Sequence, residues 1–486
     1  MISGETTPGT VVDGVHRLPS NGIKIIVIGA GVGGLGAALE CWRKGCEVVV
    51  LERAEKLSPL GDYFTITPSA LTTLKDYPSM HADYHKCIYD CSVHVYSPSG
   101  VPIYSTYPEW RRAGAHAAYD VTVSFLKRRP VYAQMQLDQL ERLGVSVQFG
   151  RKVVSVCERG DQVIVTTASG ETFIGDLCIG ANGIGSSIDG FDTGPEVAVQ
   201  DSGYAVARVA FPASTLKPDS PAATLMKNID VQPEFRTYVA DDVHLILFLT
   251  RDWVAWCFTH ADDGETAESW GNLKDPDAII PLIERSSDNW DPAVLDFVRQ
   301  TPNRVVDWKL RWRDGTEQWT SDSGRLLRLG DAAHAFFPTA GNGAVQALED
   351  GVSLAECMRI GGKENAGWAT KVHNQLRFQR VSVLQQTGFL NREELHHVDV
   401  AAIEENPKEV TVGFFKIGRW VWNHDPEAYA RDNYAACLAH LQEGEPFSNT
   451  NLPPGHIYVP WSLASETARM KAGVKSSLKQ NGDWSA

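Results

Sequence analysis

The sequence predicts an α/β fold: a Rossmann-like nucleotide-binding unit, an inserted and mainly antiparallel β-sheet, and a helical C-terminal region. Three observations carry this. Lys24-Ile-Ile-Val-Ile28 is the continuous apolar run of a parallel strand buried on both faces, and it feeds Gly29-Ala-Gly31-Val-Gly-Gly34. Between about 190 and 300 the pattern turns to two-residue alternation, in Tyr204–Phe211, Phe235–Val239, Val243–Leu249 and Trp253–Thr259. Beyond Gly351 the apolar residues fall into a mainly helical pattern until about residue 442.

Taken in order, residues 1–21 are rich in Gly, Thr, Pro and Ser and predict a flexible N-terminus. After the glycine loop, Leu35, Ala38, Leu39 and Trp42 share one face of a helix that Gly45 ends, and Val48–Leu51 supplies the next buried strand. This is a βαβ unit. Residues 62–126 are aromatic-rich, carry several prolines and show no clean period. Tyr132–Leu143 predicts a helix, and Val145–Gly150 and Lys152–Cys157 predict strands. Gln162–Thr167 and Glu171–Gly175 flank Ser169-Gly170, a hairpin turn. Asp176–Ile179 is a short buried strand leading into Gly180-Ala-Asn182-Gly183. The tail, with Asn449–Pro454 and Pro460-Trp461, reads as an irregular segment packed on the surface.

Composition removes several function classes. The chain has 486 residues, 43% hydrophobic and 22% charged, as in an ordinary globular protein of two to three domains. A net charge of −15 argues against nucleic-acid or anionic-membrane partners. Nine cysteines without a Cys-x-x-Cys pair point to a reducing, cytoplasmic setting and to no metal site. The adjacent His396-His397 point in different directions on a helix, which argues against metal ligation with Asp399. The N-terminus lacks a signal pattern, and the apolar stretch Ile23–Leu39 is too glycine-broken to span a membrane.

Two stretches carry chemistry. In the first, Gly29 allows a tight turn, Gly31 lets backbone approach a pyrophosphate, and Gly34 permits close helix–strand packing. Glu52, followed by Arg53, ends the second strand 23 residues after Gly29, the place of an acid that accepts ribose hydroxyls. In the second, Leu326–Leu329 is a strand tipped by Gly330-Asp331, and Pro338 kinks a turn before Gly341-Asn342-Gly343-Ala344 opens a helix to Met358. Asp331 suits a ribityl or ribose hydroxyl, and the helix N-terminus suits the electron-rich edge of a reduced flavin. A nicotinamide dehydrogenase needs no such late motif, so the pair points to FAD. The competing reading makes Asp331 a helix cap and Pro338 loop punctuation.

On these motifs the chain resembles the class A FAD-dependent aromatic hydroxylases, the single-component flavoprotein monooxygenases, over residues 22–360. Its tail around Gly418-Arg-Trp-Val-Trp422-Asn-His-Asp425-Pro426 resembles fungal natural-product tailoring members. The resemblance implies a Rossmann-like FAD-binding domain, an inserted antiparallel substrate domain and a helical C-terminal region. It implies reduction by NAD(P)H, a flavin C4a-hydroperoxide, and transfer of one oxygen to an aromatic, indole or polyene substrate by hydroxylation or epoxidation. It places Arg129 and Pro338 at the FAD. Asp62 and Arg208 match an acid and a sheet arginine that face ring and substrate, and Tyr238 is a further candidate from that sheet. Each has a plainer reading: Arg129 as a solvated helix-start arginine, Asp62 as a turn residue, Arg208 as an ion-paired surface arginine, Tyr238 as ordinary packing.

The middle motif departs from the family. Asp-Gly-x-x-Ser-x-x-Arg becomes Asn182-Gly-Ile-Gly-Ser186-Ser-Ile-Asp189, which removes one charge and reverses another. That keeps open a second reading, an FAD-bound cyclase or isomerase without net oxidation. The expected domains are 22–190 with 300–360 for FAD, 191–299 for the substrate sheet, and 361–486 for the helical region and tail.

Overall fold

The computed structural model describes residues 9–57, 66–86, 91–107, 131–184, 188–194, 197–229, 233–264, 266–267, 271–397, 399–400, 405 and 418–485. Strands β1 (Lys24–Ile28), β2 (Glu47–Leu51), β3 (Ser146–Gln148), β4 (Leu177–Gly180) and β5 (Leu326–Arg328) form a parallel sheet in the order β5–β4–β1–β2–β3. Ile25, Ile26 and Val27 are fully buried, as a strand covered on both faces requires. The register pairs Ile28 with both Leu51 and Gly180, and Gly180 with Arg328. Four strands therefore end level, and Gly29, Glu52, Ala181 and Leu329 leave the sheet along one edge. Ligands of open α/β sheets bind at such a carboxyl edge.

Helices α1 (Val32–Arg43), α2 (Val131–Arg142) and α3 (Gly343–Gly361) pack beside this sheet. Gly351 lets α1 and α3 touch, since a Cβ there would lie 2.9 Å from the Ala37 nitrogen. Helix α4 (Ala366–His396) follows, and α5 (Pro426–Glu443) starts at Pro426 with Asp425 accepting a hydrogen bond from the Ala428 N–H. An aspartate at the cap with proline at the first helical position suits this helix start.

The second sheet has eight strands, ordered Leu273–Lys274, Val305–Trp312, Gln200–Pro212, Trp253–Ala261, Val243–Leu249, Glu234–Ala240, Ser92–Tyr96 and Pro102–Thr106. It is mixed, because Ser92–Tyr96 runs parallel to Glu234–Ala240. The four alternating segments read from the sequence lie in its centre. Two further stretches join it from outside 191–299: the pair from the region without a clean period, and Val305–Trp312.

Register sorts its two faces. Ala207, Phe258, Leu245 and Tyr238 are paired neighbours on one face. All four are fully buried, against a layer that includes Ile283, Val294 and Phe297. Arg208, Cys257, Ile246 and Thr237 are paired neighbours on the other. There Arg208, Cys257 and Ile246 are only half-buried, so the sheet's centre is open on the Arg208 face.

The C-terminal end of α4 docks on that same face, where His396 Nε2 lies 2.8 Å from His244 Nδ1. Burial lowers both histidines, His244 to about 4 and His396 to about 2, and lowers His373 to about 3. These side chains are neutral when folded and take up protons only on unfolding, at about pH 6.5. The unfolded state then binds more protons, so stability falls as pH drops below that value. Each is expected to cost about 2 kcal/mol between pH 7 and 5, a loss read by urea denaturation at the two pH values and absent from His373→Gln for that residue's share.

Candidate functional site

A cleft of about 490 Å³ opens at the carboxyl edge of the parallel sheet. Its walls bring together Gly29, Gly31 and Gly34, Glu52 and Arg53, Asn182 and Gly183, Asp331, and Gly343 and Ala344. Residues separated by some 300 positions thus share one crevice, because β1 and β5 flank β4.

The glycine loop is built for close approach. Gly29 has φ +109°, and a Cβ there would sit 2.4 Å from the Ala181 carbonyl oxygen. On Gly34 it would sit 2.1 Å from the Gly29 oxygen, whereas on Gly31 it would meet no protein atom within 4 Å. The first two glycines serve the fold and the third leaves room for a ligand. Helix α1 begins at Val32 with no side-chain cap, so its first-turn N–H groups and positive dipole end face the cleft.

Glu52 is held for its task. Its Oε2 accepts from the Ala30 N–H and its Oε1 from the Ala54 N–H, each at 2.8 Å. Each oxygen keeps a further lone-pair site for a hydroxyl. Asp331 opens onto the cleft from the turn after β5. Beyond it, Asn342 donates from Nδ2 to the Ala340 oxygen at 2.7 Å, and its buried Oδ1 has no partner. Helix α3 also begins without a side-chain cap. The cleft therefore has two uncapped helix N-termini, one at each motif, with two carboxylates along its walls. That donor and acceptor set fits an extended dinucleotide with hydroxyls along its length, as FAD has.

Pro338 does not line this cleft. Pro338 is exposed and starts the turn Pro338–Ala340, whose Ala340 is buried, and Gly341 closes it in the left-handed region at φ +59°. The preceding Phe337 stacks on Trp312, with ring centroids 4.5 Å apart. The Arg392 guanidinium of α4 lies 4.7 Å from the Phe337 ring, 4.9 Å from Phe389 and 4.9 Å from Tyr204. This clamp sets the turn against the Arg208 face of the large sheet, since Tyr204 and Arg208 alternate along one strand. Arg208 itself lies 5.5 Å from the Trp308 ring.

The structure does not bring Tyr238 to that face. It stacks on Tyr96, is fully buried, and donates to Asp291 Oδ2 at 3.3 Å on the opposite side of the sheet. Asp62 and Arg129 lie outside the described residues, as does Ser186 of the middle motif. His396 engages His244, and His397 lies 3.1 Å from Glu393, so the two adjacent histidines diverge.

Beneath the cleft lies a buried ionic network. Asp350 Oδ2 accepts from His334 Nε2 at 2.6 Å and from the Gly330 N–H at 3.3 Å. Arg377 donates from Nε to Asp350 Oδ1 and from Nη1 to Glu349 Oε2. Burial alone would raise both carboxyls, but His334 and Arg377 hold Asp350 well below the usual range, and Arg380 and Arg377 do the same for Glu349. His334 thus pairs below the cleft.

A second cleft of about 450 Å³ shares Asn182, Gly183 and Ile188 with the first. It gathers Arg311, Arg313 and Arg328 beside Asp189 and Asp192. Arg313 donates from Nη2 to the Ile184 oxygen at 2.6 Å and from Nη1 to the Ala332 oxygen at 3.0 Å, tying the middle motif to the Asp331 turn. Sequence reasoning missed Arg313, and also Arg151 and Lys152 on the first cleft's rim. No local pattern marks them, because each reaches its cleft through sheet pairing far along the chain.

Comparison with known proteins agrees with this geometry. The FAD binding domain family matches residues 22–368. The chain is 38% identical over 481 residues to the FAD-dependent monooxygenase fsr3 of Gibberella fujikuroi, covering 97% of this chain and 91% of that protein. It is 37% identical to the FAD-dependent monooxygenase dmxR9 of a Cryptosporiopsis species, over 99% and 94% of the two chains. The crystal structure of CtdE in complex with FAD and a substrate matches with a TM-score of 0.77 at 24% identity, over 86% of this chain and 99% of that one.

Proposed function

Because the chain belongs to the class A flavoprotein monooxygenases, a family of FAD-dependent oxidoreductases, we propose that it inserts one oxygen atom of O2 into an aromatic, indole or polyene secondary metabolite, by hydroxylation or epoxidation, with NAD(P)H as reductant. The observation that carries this reading is the cleft with an uncapped helix N-terminus at each end, beside a turn clamped to an open sheet face.

FAD, when bound, supplies the redox and oxygen-activating chemistry. The chain's residues supply the rest. The Gly29–Gly34 loop and α1 receive the pyrophosphate, Glu52 the adenosine ribose, and Asp331 a hydroxyl between them. Asn342, Gly343 and Ala344 present N–H groups to the electron-rich ring edge, and Pro338 borders the ring. The Arg208 face holds the substrate, with Arg208 orienting a phenolate or carbonyl. On this reading the FAD domain comprises 22–190 and 313–360, with the 92–106 strands assigned instead to a substrate domain that also takes in 191–312. The second cleft receives NAD(P)H, where Arg311, Arg313 and Arg328 offer the positive charge that Asp189 withdraws from the middle motif. The described cysteines are free thiols, in keeping with a cytoplasmic setting.

The test is direct. The purified protein should be yellow, release FAD on denaturation, and consume O2 and NADPH in the presence of phenolic, indole or polyene candidates, with product mass raised by one oxygen. Conversion in the absence of air and NADPH at unchanged mass would instead mark a cyclase or isomerase. Arg208→Met should keep its FAD and raise KM by about 10- to 100-fold, the worth of one charge-assisted hydrogen bond. An unchanged KM would remove Arg208 from the substrate.

A further inference from the structure

We propose that the C-terminal turn Trp420–Trp422 is a working part of the flavin site, with Arg380 of α4 as the positioning residue that links them. The turn lies beyond the family-matched stretch and lines neither cleft. Its connection runs through the buried ionic network.

Arg380 is fully buried, and all five of its N–H donors are used. Nη1 donates to the Trp420 oxygen at 2.8 Å and the Asn451 oxygen at 3.2 Å, and Nη2 donates to the Val421 oxygen at 2.8 Å. On its other side, Nε and Nη2 grip the two oxygens of Glu349 at 3.0 and 3.1 Å. Glu349 is shared with Arg377, whose Nη2 also donates to Gln346 Oε1 at 2.7 Å and the Gln346 oxygen at 3.2 Å. Gln346 closes the first turn of α3 by donating its N–H to the Asn342 oxygen. Arg377 then reaches Asp350, which holds the Gly330 N–H.

One continuous chain of bonds therefore runs from the C-terminal backbone to both late walls of the first cleft, the Gly330-Asp331 turn and the N-terminus of α3. Arg380, Glu349, Arg377, Asp350 and Gln346 are all at or below 1% exposed, so water cannot substitute for a lost link. A lysine at 380 would keep the charge but not the fork, since its three donors leave from one atom.

The inference rests on the reading that the first cleft holds FAD. It is tested by titrating FAD against the full chain and its Arg380→Met and Arg380→Lys variants, well below each melting midpoint. Leu247→Ala, in the remote layer behind the large sheet, serves as an equally destabilised control. Arg380→Met should weaken FAD about 10- to 100-fold, the range lost when outer supports of a bound group are removed. Arg380→Lys should fall between, and Leu247→Ala should stay within about twofold of the parent, since distant sites act independently. Should the Arg380 variants fail to fold, hydrogen exchange on the parent decides. Coupling is reciprocal, so added FAD should slow exchange of the Val421 and Asn423 amides. Arg380 variants that bind FAD as the control does, or exchange at those amides indifferent to FAD, would overturn the proposal. A parent chain that binds no FAD would overturn the cofactor reading instead.

Discussion

Gly34→Ala is expected to leave the protein without bound FAD. The new methyl would lie 2.1 Å from the Gly29 carbonyl oxygen and 3.2 Å from Ala181 Cβ. Neither neighbour is the far end of a flexible side chain, so α1 must move off β1 and carry its N–H groups away from the cleft. Overpacking of this kind costs about 1–3 kcal/mol in stability. The larger effect falls on the cofactor, because a displacement of about 1 Å in a positioned donor set costs on the order of 100-fold. Gly31→Ala is the matched contrast. Its methyl meets no protein atom within 4 Å, so the fold should melt as the parent does while the methyl stands where the pyrophosphate approaches. Flavin-to-protein absorbance after purification, read beside the melting midpoint, separates the two. A Gly34→Ala protein that retains stoichiometric FAD would contradict this account of the loop.

Arg377→Met should produce the largest loss of stability, roughly 3–5 kcal/mol, because it removes the one guanidinium that two buried carboxylates share and leaves each with only its second partner, Arg380 or His334. Its pH dependence is also specific. Asp350 and Glu349 are depressed in the folded protein, so their stabilisation is fully present above the unfolded carboxylate range near pH 4 and is lost progressively as pH falls from there toward the much lower folded values. Removing Arg377 raises both, so the variant should lose less on acidification below pH 4 than the parent does. Denaturation curves at pH 7 and pH 3.5 test this, and a constant difference between the two proteins at both values would place the energy elsewhere. The parent's losses between pH 6.5 and 5 come from the buried histidines and remain in both.

What was legible in the sequence was local in the chain. Lys24–Glu52 and Leu326–Met358 each carry strand, turn and helix in one run, so their chemistry could be read before their placement was known. The meeting of the two runs follows from β4 pairing with β1 on one side and β5 on the other, a relation no local pattern encodes. Register explains the case of Tyr238. Two-residue alternation fixes faces within a strand but not between strands, and the pairing through Leu245 and Phe258 sends Tyr238 away from the Arg208 face. Ser92–Thr106 hid its strands behind aromatic and proline content, and its parallel pairing to Glu234–Ala240 is long-range. The ionic network was equally invisible, since no local pattern links Arg377 and Arg380 of α4 to Glu349 and Asp350 of α3. Arg313 had no signal at all.

The Arg392 clamp bears on traffic. One guanidinium lies against three rings that belong to the large sheet, the Pro338 turn and α4. Arg392 and Phe389 share α4, so the contacts that cross between layers are those to Tyr204 and Phe337; a desolvated contact of this type is worth up to about 2 kcal/mol, and lifting the large sheet off α4 gives up the one to Tyr204. A sheet that swings away from α4 to admit a bulky molecule must first give up the Tyr204 contact, which disfavours that opening. Cargo must come and go around the pin, along a route that leaves Tyr204, Phe337 and Phe389 in register.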